Sequence, residues 1–261
     1  ILGWWAARFI SGPIMRLRDT MIRQREGEMG VRAREDQGAP EIRSLAADFN
    51  TLAEKNLDLM ATQAHALSMS QLTLKIEHAV RGTSDSRQAL DVLCAALGGG
   101  LGVDRVVVNN IVDGNHPVVL GAQWHLPDLP PLGNIPDDLA TYIGPFAEEL
   151  WGSSGRSRVV DDFLAPQVLS ERARIFHGYT GTQAMVVVPI GLGDRVIGVI
   201  YVIMVHRPRR WTESEVNAVQ QVAVFVARII VEAEYQANQN RYIERLERFD
   251  RQKNDFVATV S

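Results

Sequence analysis

The chain has 261 residues, enough for one large domain or two modest ones joined by helices. Hydrophobic residues make up 46% and charged residues 22%, as in ordinary globular proteins, and a net charge of −4 gives no reason to expect a nucleic-acid partner. The single cysteine, Cys94, excludes an internal disulfide and suits a reducing compartment, and no Cys/His spacing of the zinc type occurs.

Ile1 to Ile10 is apolar apart from Arg8 and ends at Ser11-Gly12-Pro13. About 20 apolar residues are needed to cross a bilayer, so this run alone does not span one. Trp4 and Trp5 stand where aromatic anchors lie at a membrane interface, and Arg8, Arg16, Arg18, Arg23 and Arg25 follow, the bias of a cytoplasmic flank. A buried amphipathic helix end fits the same residues; the cytoplasmic end of a transmembrane helix over 1–12 is the expectation. Pro13 opens a helix whose seam is Ile10, Ile14, Leu17 and Met21. A polar connector runs from Gly27 to Pro40, and a second helix starts at Glu41 with Ile42, Leu45 and Phe49 inward. Pro13 and Leu17, Gly27-Glu28-Met29, Glu41-Ile42 and Phe49-Asn50 together resemble a HAMP domain, expected over 13–64 as a parallel four-helix bundle that relays membrane signals. Beyond Phe49 the seam runs Ala53, Leu57, Met60, Ala64, Leu67. Its three successive steps of four from Leu45 to Leu57 read either as a stutter in a coiled coil or as the helix leaving the coil at Leu52.

Gly82 to Asp85 breaks the helix and offers N-caps. The next helix, about Ser86 to Ala96, carries Leu90, Leu93 and Leu97 inward and is expected to end at Gly98-Gly99-Gly100. Val103 to Val112 reads as a strand, Asp113-Gly114-Asn115 as a hairpin turn, and Val118 to Trp124 as the partner strand. Pro127, Pro130, Pro131 and Pro136 leave no room for a regular element. Asp137 to Gly152 is helical, with Gly144-Pro145 as a candidate kink or break. A short strand at Arg158 to Asp161 and a helix at Gln167 to Tyr179 precede two strong strands, Ala184 to Ile190 and Val196 to Val205. Thr212, with Glu215 three residues on, predicts a capping box opening a long helix.

Strand pairs with helices gathered around them predict an α+β fold built on an antiparallel sheet. The element order, Asp104-Arg105 opening the first strand, Met185 to Pro189, Gly198 to Val202 and Trp211-Thr212-Glu213 resemble a GAF domain, a small-molecule sensing module expected over 72–233. The last helix carries a broad apolar face from Val216 to Ile230. It continues into a heptad seam, Tyr242, Leu246, Phe249, Lys253, Phe256 and Val260, as in two helices packed side by side. An ordinary dimer coil fits that seam. Lys253 to Ser261, however, resembles the K-x-x-F-(V/L)-A-x-V-S lead-in of the dimerisation helix of sensor histidine kinases, where the phosphate-accepting histidine follows at once. The stretch 234–261 is therefore expected to be a coiled-coil linker and the start of that helix, with the chain stopping one residue short of the histidine. With Ile1 in place of Met at its start, a fragment at the other end too is the expectation.

The resemblances imply the sensory part of a membrane-anchored two-component histidine kinase at the cell inner membrane, this portion on the cytoplasmic side. Homodimerisation, a response-regulator partner and ATP, bound outside these residues, are implied with it. A HAMP–GAF module controlling a cyclase or chemoreceptor-like output is the alternative, and a stand-alone ligand-binding dimer a third reading. No nucleophile constellation, phosphate loop or metal motif appears, so no catalytic residue is expected in this stretch. The GAF comparison places Trp124, His125, Phe146, Trp151, Phe163, Phe176, His177, Tyr179 and Met185 on pocket-facing elements. Trp124, His177, Tyr179 and Met185 are the expected ligand contacts, with core filling as the competing reading for each aromatic. The ligand itself is not named by the sequence. Cys94 falls among leucines and reads as a small buried apolar residue.

Overall fold

The computed structural model describes residues 10–28, 30–81, 85–111, 118–153, 156–168 and 170–260, and for residues 81, 118–120 and 249–260 it describes the backbone alone. Residues 1–9 of the membrane segment expected over 1–12, Met29, the break at Gly82 to Ser84, the hairpin turn Asp113 to Asn115, Ser261 and the seam side chains Phe249, Lys253, Phe256 and Val260 lie outside what is described. The chain forms two compact units, Ile1–Ser68 and Met69–Ser261.

In the first unit α1 (Gly12–Arg25) carries Pro13 in its opening turn, where a missing N–H leaves nothing unsatisfied. Arg23 and Arg25 lie in its last turn, complementing the negative helix end. A connector leads to α2 (Pro40–Arg81). The connector is pinned by one side chain. Ala33 N–H donates to Asn50 Oδ1 at 2.8 Å, and Asn50 Nδ2 donates back to the Ala33 carbonyl at 2.9 Å. Leu17, Ala33 and Ala46 form the small core, with Phe49 packed on it. The expected inward Leu45 is 52% exposed while its neighbour Ala46 is buried. Among the described residues of this unit, Leu45, Leu52, Leu59, Met60 and Leu67 on α2 are exposed. α2 passes through the Leu45–Leu57 stretch without a break.

The second unit is built on five antiparallel strands, β1 (Arg105–Ile111), β2 (Val118–His125), β3 (Arg158–Val160), β4 (Ala184–Leu192) and β5 (Arg195–Met204). Their order across the sheet is β2-β1-β5-β4-β3. The β1–β5 pairing joins Arg105 to Ile203 and Asn110 to Gly198, so the sheet closes through its most distant partners. Alternating residues sort to two covered faces. Val106, Val108, Val186, Ile200 and Val202 meet α3 (Ser86–Leu101), α6 (Glu213–Val260) and the last turns of α2. Val107, Val187, Val199, Tyr201 and Ile203 meet α4 (Asp137–Gly152) and α5 (Glu171–Thr180).

α3 departs from the sequence reading. It runs through all three glycines and ends at Gly102, whose φ of +60° is the left-handed cap. The run is a packing surface and not a stop. A Cβ on Gly98 would lie 2.1 Å from the Trp124 ring, and one on Gly100 would lie 2.2 Å from Leu72. Tertiary contact thus overrides the local preference of glycine against helix. α4 is continuous with Pro145 inside it, so the candidate break there does not occur. α5 starts at Glu171, four residues later than read, because Ser170 Oγ accepts from Ala173 N–H at 3.2 Å and caps it. The capping box of α6 is present: Thr212 N–H donates to Glu215 Oε2 at 2.8 Å and Glu215 N–H to Thr212 Oγ1 at 3.3 Å. Among the described residues α6 is the one helix long and apolar enough to cross a membrane by length and composition. Its apolar residues Val219, Val222, Val226 and Ile230 are buried in this core.

Candidate ligand-binding site

The α4–α5 face of the sheet does not close. A cleft of about 460 Å³ opens between the sheet, α4, α5 and residues 161–168 with Ser170, within the usual size range of small-molecule sites. Its floor is Met185 and Tyr201, its walls Leu139, Ile143, Phe146, Phe163, Val168 and Phe176. The rings are mutually packed: Phe176 lies 5.5 Å from Tyr201 and 5.9 Å from Phe163, centroid to centroid. Burial pushes the Tyr201 phenol well above its usual pKa, with Tyr142 adding to the effect, so it stays neutral and is available as a hydrogen-bonding group.

The rim is charged. Arg158, Asp161, Asp162 and Arg172 line the mouth. Asp161 Oδ1 accepts from Trp211 N–H at 3.1 Å and Asp162 Oδ1 from Leu164 N–H at 3.1 Å, so both carboxylates brace loops. Arg172 lies 4.6 Å above the Tyr142 ring, a cation–π contact.

Behind the cleft, across Leu139, Ile143, Phe176 and Tyr201, is a cavity of about 10 Å³ lined also by Val107, Asn109 and Tyr179. The proline-rich segment 126–136 roofs this end of the sheet, and side chains hold it. Gln123 Nε2 donates to the Leu132 carbonyl at 3.0 Å while Leu132 N–H donates to Gln123 Oε1 at 2.8 Å. Tyr179 Oη donates to the Gly133 carbonyl at 2.8 Å, and Arg105 Nη2 to that of Pro130 at 2.8 Å. At the outer end His206 bridges two carboxylates, Nδ1 to Asp104 Oδ2 and Nε2 to Asp128 Oδ2, each at 3.0 Å.

The four expected ligand contacts are not brought together. Met185 lines the cleft and Tyr179 the smaller cavity. His177 lines neither; its Nδ1 is 2.8 Å from the Thr182 carbonyl and its ring stacks on Phe163. Trp124 corrects the reading outright, since it packs on Gly98 with the α3–α6 core, across the sheet from the cleft. Of the other aromatics, Phe146, Phe163 and Phe176 line the cleft, while Trp151 Nε1 donates to the Gly193 carbonyl at 3.2 Å and His125 Nδ1 lies 2.9 Å from the Leu126 carbonyl. Sequence reasoning missed Tyr142, Arg172 and Tyr201. Tyr142 and Phe146 are four apart on one helix, and Tyr201 shares strand parity with Val199 and Ile203, signals that periodicity carries. Cys94 is fully buried in the α3–α6 layer, and burial pushes its thiol up to about 12, with Asp91 adding to the shift.

Residues 85–230, more than half of the sequence, match the family of GAF domains. The chain belongs to the GAF domain family. Among solved structures, a far-red-absorbing dark state with bound biliverdin IXa is similar at 18% identity and a TM-score of 0.53, covering 63% of this chain and 99% of that one. The phycocyanobilin-bound GAF domain of a cyanobacterial phytochrome shares 21% identity at a TM-score of 0.52, over 63% and 96% of the two chains. The GAF domain of a phosphoenolpyruvate-protein phosphotransferase from Coxiella burnetii shares 18% identity at a TM-score of 0.50, over 66% and 98%. At such identities the likeness is one of fold. No curated protein matches the chain significantly.

Proposed function

We propose that this chain is the sensory and relay portion of a membrane-anchored, homodimeric sensor histidine kinase, with the GAF cleft binding a small molecule non-covalently. In this reading the first unit is a HAMP domain at the cytoplasmic side of the inner membrane, and α6 carries the state of both units to the phosphate-accepting helix. The full-length protein phosphorylates its own histidine from ATP and passes the phosphate to an aspartate of a response regulator.

The observation that carries the reading is the course of α6 past the sheet. The helix is 48 residues long, about 72 Å at ~1.5 Å per residue, and beyond Ala233 it has no sheet to cover. Tyr235, Tyr242, Ile243 and Leu246 are exposed there, and the sequence then runs into Lys253-Asn254-Asp255-Phe256-Val257-Ala258-Thr259-Val260-Ser261. An uncovered apolar seam of this length calls for a second helix. The bilins of the structural relatives do not carry over as adducts of Cys94, whose thiol lies in the core on the far side of the sheet from the cleft.

Two measurements test this. The codons following Ser261 are expected to encode His-Glu-Leu-Arg, and the full-length protein is expected to take label from ATP as an acid-labile phosphohistidine, while residues 1–261 alone remain unlabelled. A stop codon at that point, or a full-length protein that takes no label, overturns the kinase assignment.

A further inference from the structure

Tyr201 lines the cleft floor and is only 4% exposed, yet no described residue hydrogen-bonds with its hydroxyl. A polar group taken out of water without a partner costs free energy that a partner restores. The residue is held from two directions. It shares a strand face with Val199 and Ile203, in the layer of α4 and α5, and its ring centroid lies 5.5 Å from that of Phe176. Tyr142, on the cleft lining as well, is near enough to act on its ionisation. The floor and walls carry no charged side chain. Arg158, Asp161, Asp162 and Arg172, the charged residues of the lining, are all exposed at the mouth. Two cations and two anions there favour neither sign of ligand. A charge carried further in would meet no counter-charge, at a steep desolvation cost. The interior therefore offers aromatic surface and one phenol without an acceptor.

We propose that the cleft takes a small, uncharged, planar aromatic molecule bearing a carbonyl group, with its ring among Phe163 and Phe176 and its carbonyl oxygen accepting from the Tyr201 hydroxyl. This rests on the reading that the cleft binds a small molecule, and adds its chemical class. A carbonyl accepts and brings no proton of its own, so it meets the phenol without carrying an unmet donor into an apolar interior. Burial keeps Tyr201 in its neutral, donating form. A flat ring suits walls that offer aromatic faces and edges, and about 460 Å³ leaves ample room for a bicyclic ring system.

The test is a matched pair, 1-indanone and indane, which differ only by a carbonyl in place of a methylene group. Both are titrated calorimetrically into the 261-residue chain and into its Tyr201→Phe variant, which keeps the ring and removes the hydroxyl. The variant is expected to bind the ketone about fivefold more weakly, the scale of one neutral hydrogen bond, and the hydrocarbon as the parent does. An equal change for both compounds, or no change for the ketone, overturns the assignment of Tyr201. A ketone-specific loss in Tyr142→Phe in its place moves the acceptor to that phenol and overturns it too. Indane-1-carboxylate and 1-aminoindane, of opposite charge on the same ring system, should each bind the parent more weakly than the ketone. A charged analogue that binds more tightly overturns the uncharged class, and this comparison stands whether or not the variants fold. Ala165→Trp, which fills the cleft from residue 165 on its lining, should abolish binding of the ketone. Binding that survives it lies elsewhere and overturns the reading of the cleft itself. If neither 1-indanone nor indane binds the parent, the aromatic class falls, while the wider small-molecule reading is tested by other compounds against the same filled variant.

Discussion

His206 has both ring nitrogens 3.0 Å from carboxylate oxygens, and only an imidazolium donates from both. The hydrogen bond and charge of Asp104 raise its pKa, with Asp128 adding less and desolvation opposing. A raised folded-state pKa means that protonation favours the native state. The contribution is complete below the unfolded value of about 6.5 and disappears as pH rises through the folded value. His206→Gln should therefore lower Tm at pH 5.5 and leave it near that of the parent at pH 9, as read by scanning fluorimetry; an equal loss at both pH values would contradict the bridge. Two adjacent glycines provide a second comparison. An added Cβ at Gly98 strikes the Trp124 ring, whereas at Gly99 nothing lies within 4 Å. Gly98→Ala is expected to destabilise by about 1–3 kcal/mol through overpacking. Gly99→Ala should stabilise by roughly 0.5–1 kcal/mol through helix propensity, with urea denaturation separating the two.

At the scale of elements, the exposed stripe of α6 predicts self-association. In a chain beginning at Met69, Tyr242→Glu with Leu246→Glu should shift the sedimenting species from dimer towards monomer. Each large side chain left in water forgoes roughly 1.5–3 kcal/mol of burial, and a parent that sediments as a monomer would exclude the seam as an interface. The strands were legible because β-branched runs such as Val106 to Val108 and Val186 to Val188 leave little else open, and α6 because Thr212 and Glu215 cap it. The end of α3 was not legible. Three glycines read locally as a stop, and only the contacts of Trp124 and Leu72 make them a packed helical face. The side of the sheet taken by Trp124 was hidden for a related reason. Helices cover both faces, so both strand parities are apolar and neither is marked as the ligand side. The register shift in the β1–β2 pairing between Val108 and Asn109 further obscures the count. Arg105 was visible in the sequence as a strand-opening residue, but that its Nε and Nη1 are buried without partners is a property of the folded neighbourhood alone.

At the scale of the molecule, α2 belongs in part to each compact unit, which makes its phase the quantity to perturb. In the proposed kinase, inserting two residues between Leu59 and Leu67 should turn one end relative to the other by about 200° and abolish the response of autophosphorylation to ligand. A seven-residue insertion, which restores heptad phase, should retain it. Both insertions should leave the melting of Met69–Ser261 unchanged; retention of the response in the two-residue variant would exclude α2 as the relay. The strand order has a separate consequence for how the protein is made. β1 is an inner strand, second from the β2 edge of the sheet, yet its inner partner β5 follows almost a hundred positions later. A ribosome adding roughly 5–20 residues per second needs on the order of ten seconds to supply it. Throughout that interval the emerging β1–β2 pair presents a bare edge beside Val106, Val107 and Val108. The hazard of misassociation for this protein therefore belongs to its synthesis, and slower initiation or a holding chaperone should raise the soluble yield without altering a single contact of the native state.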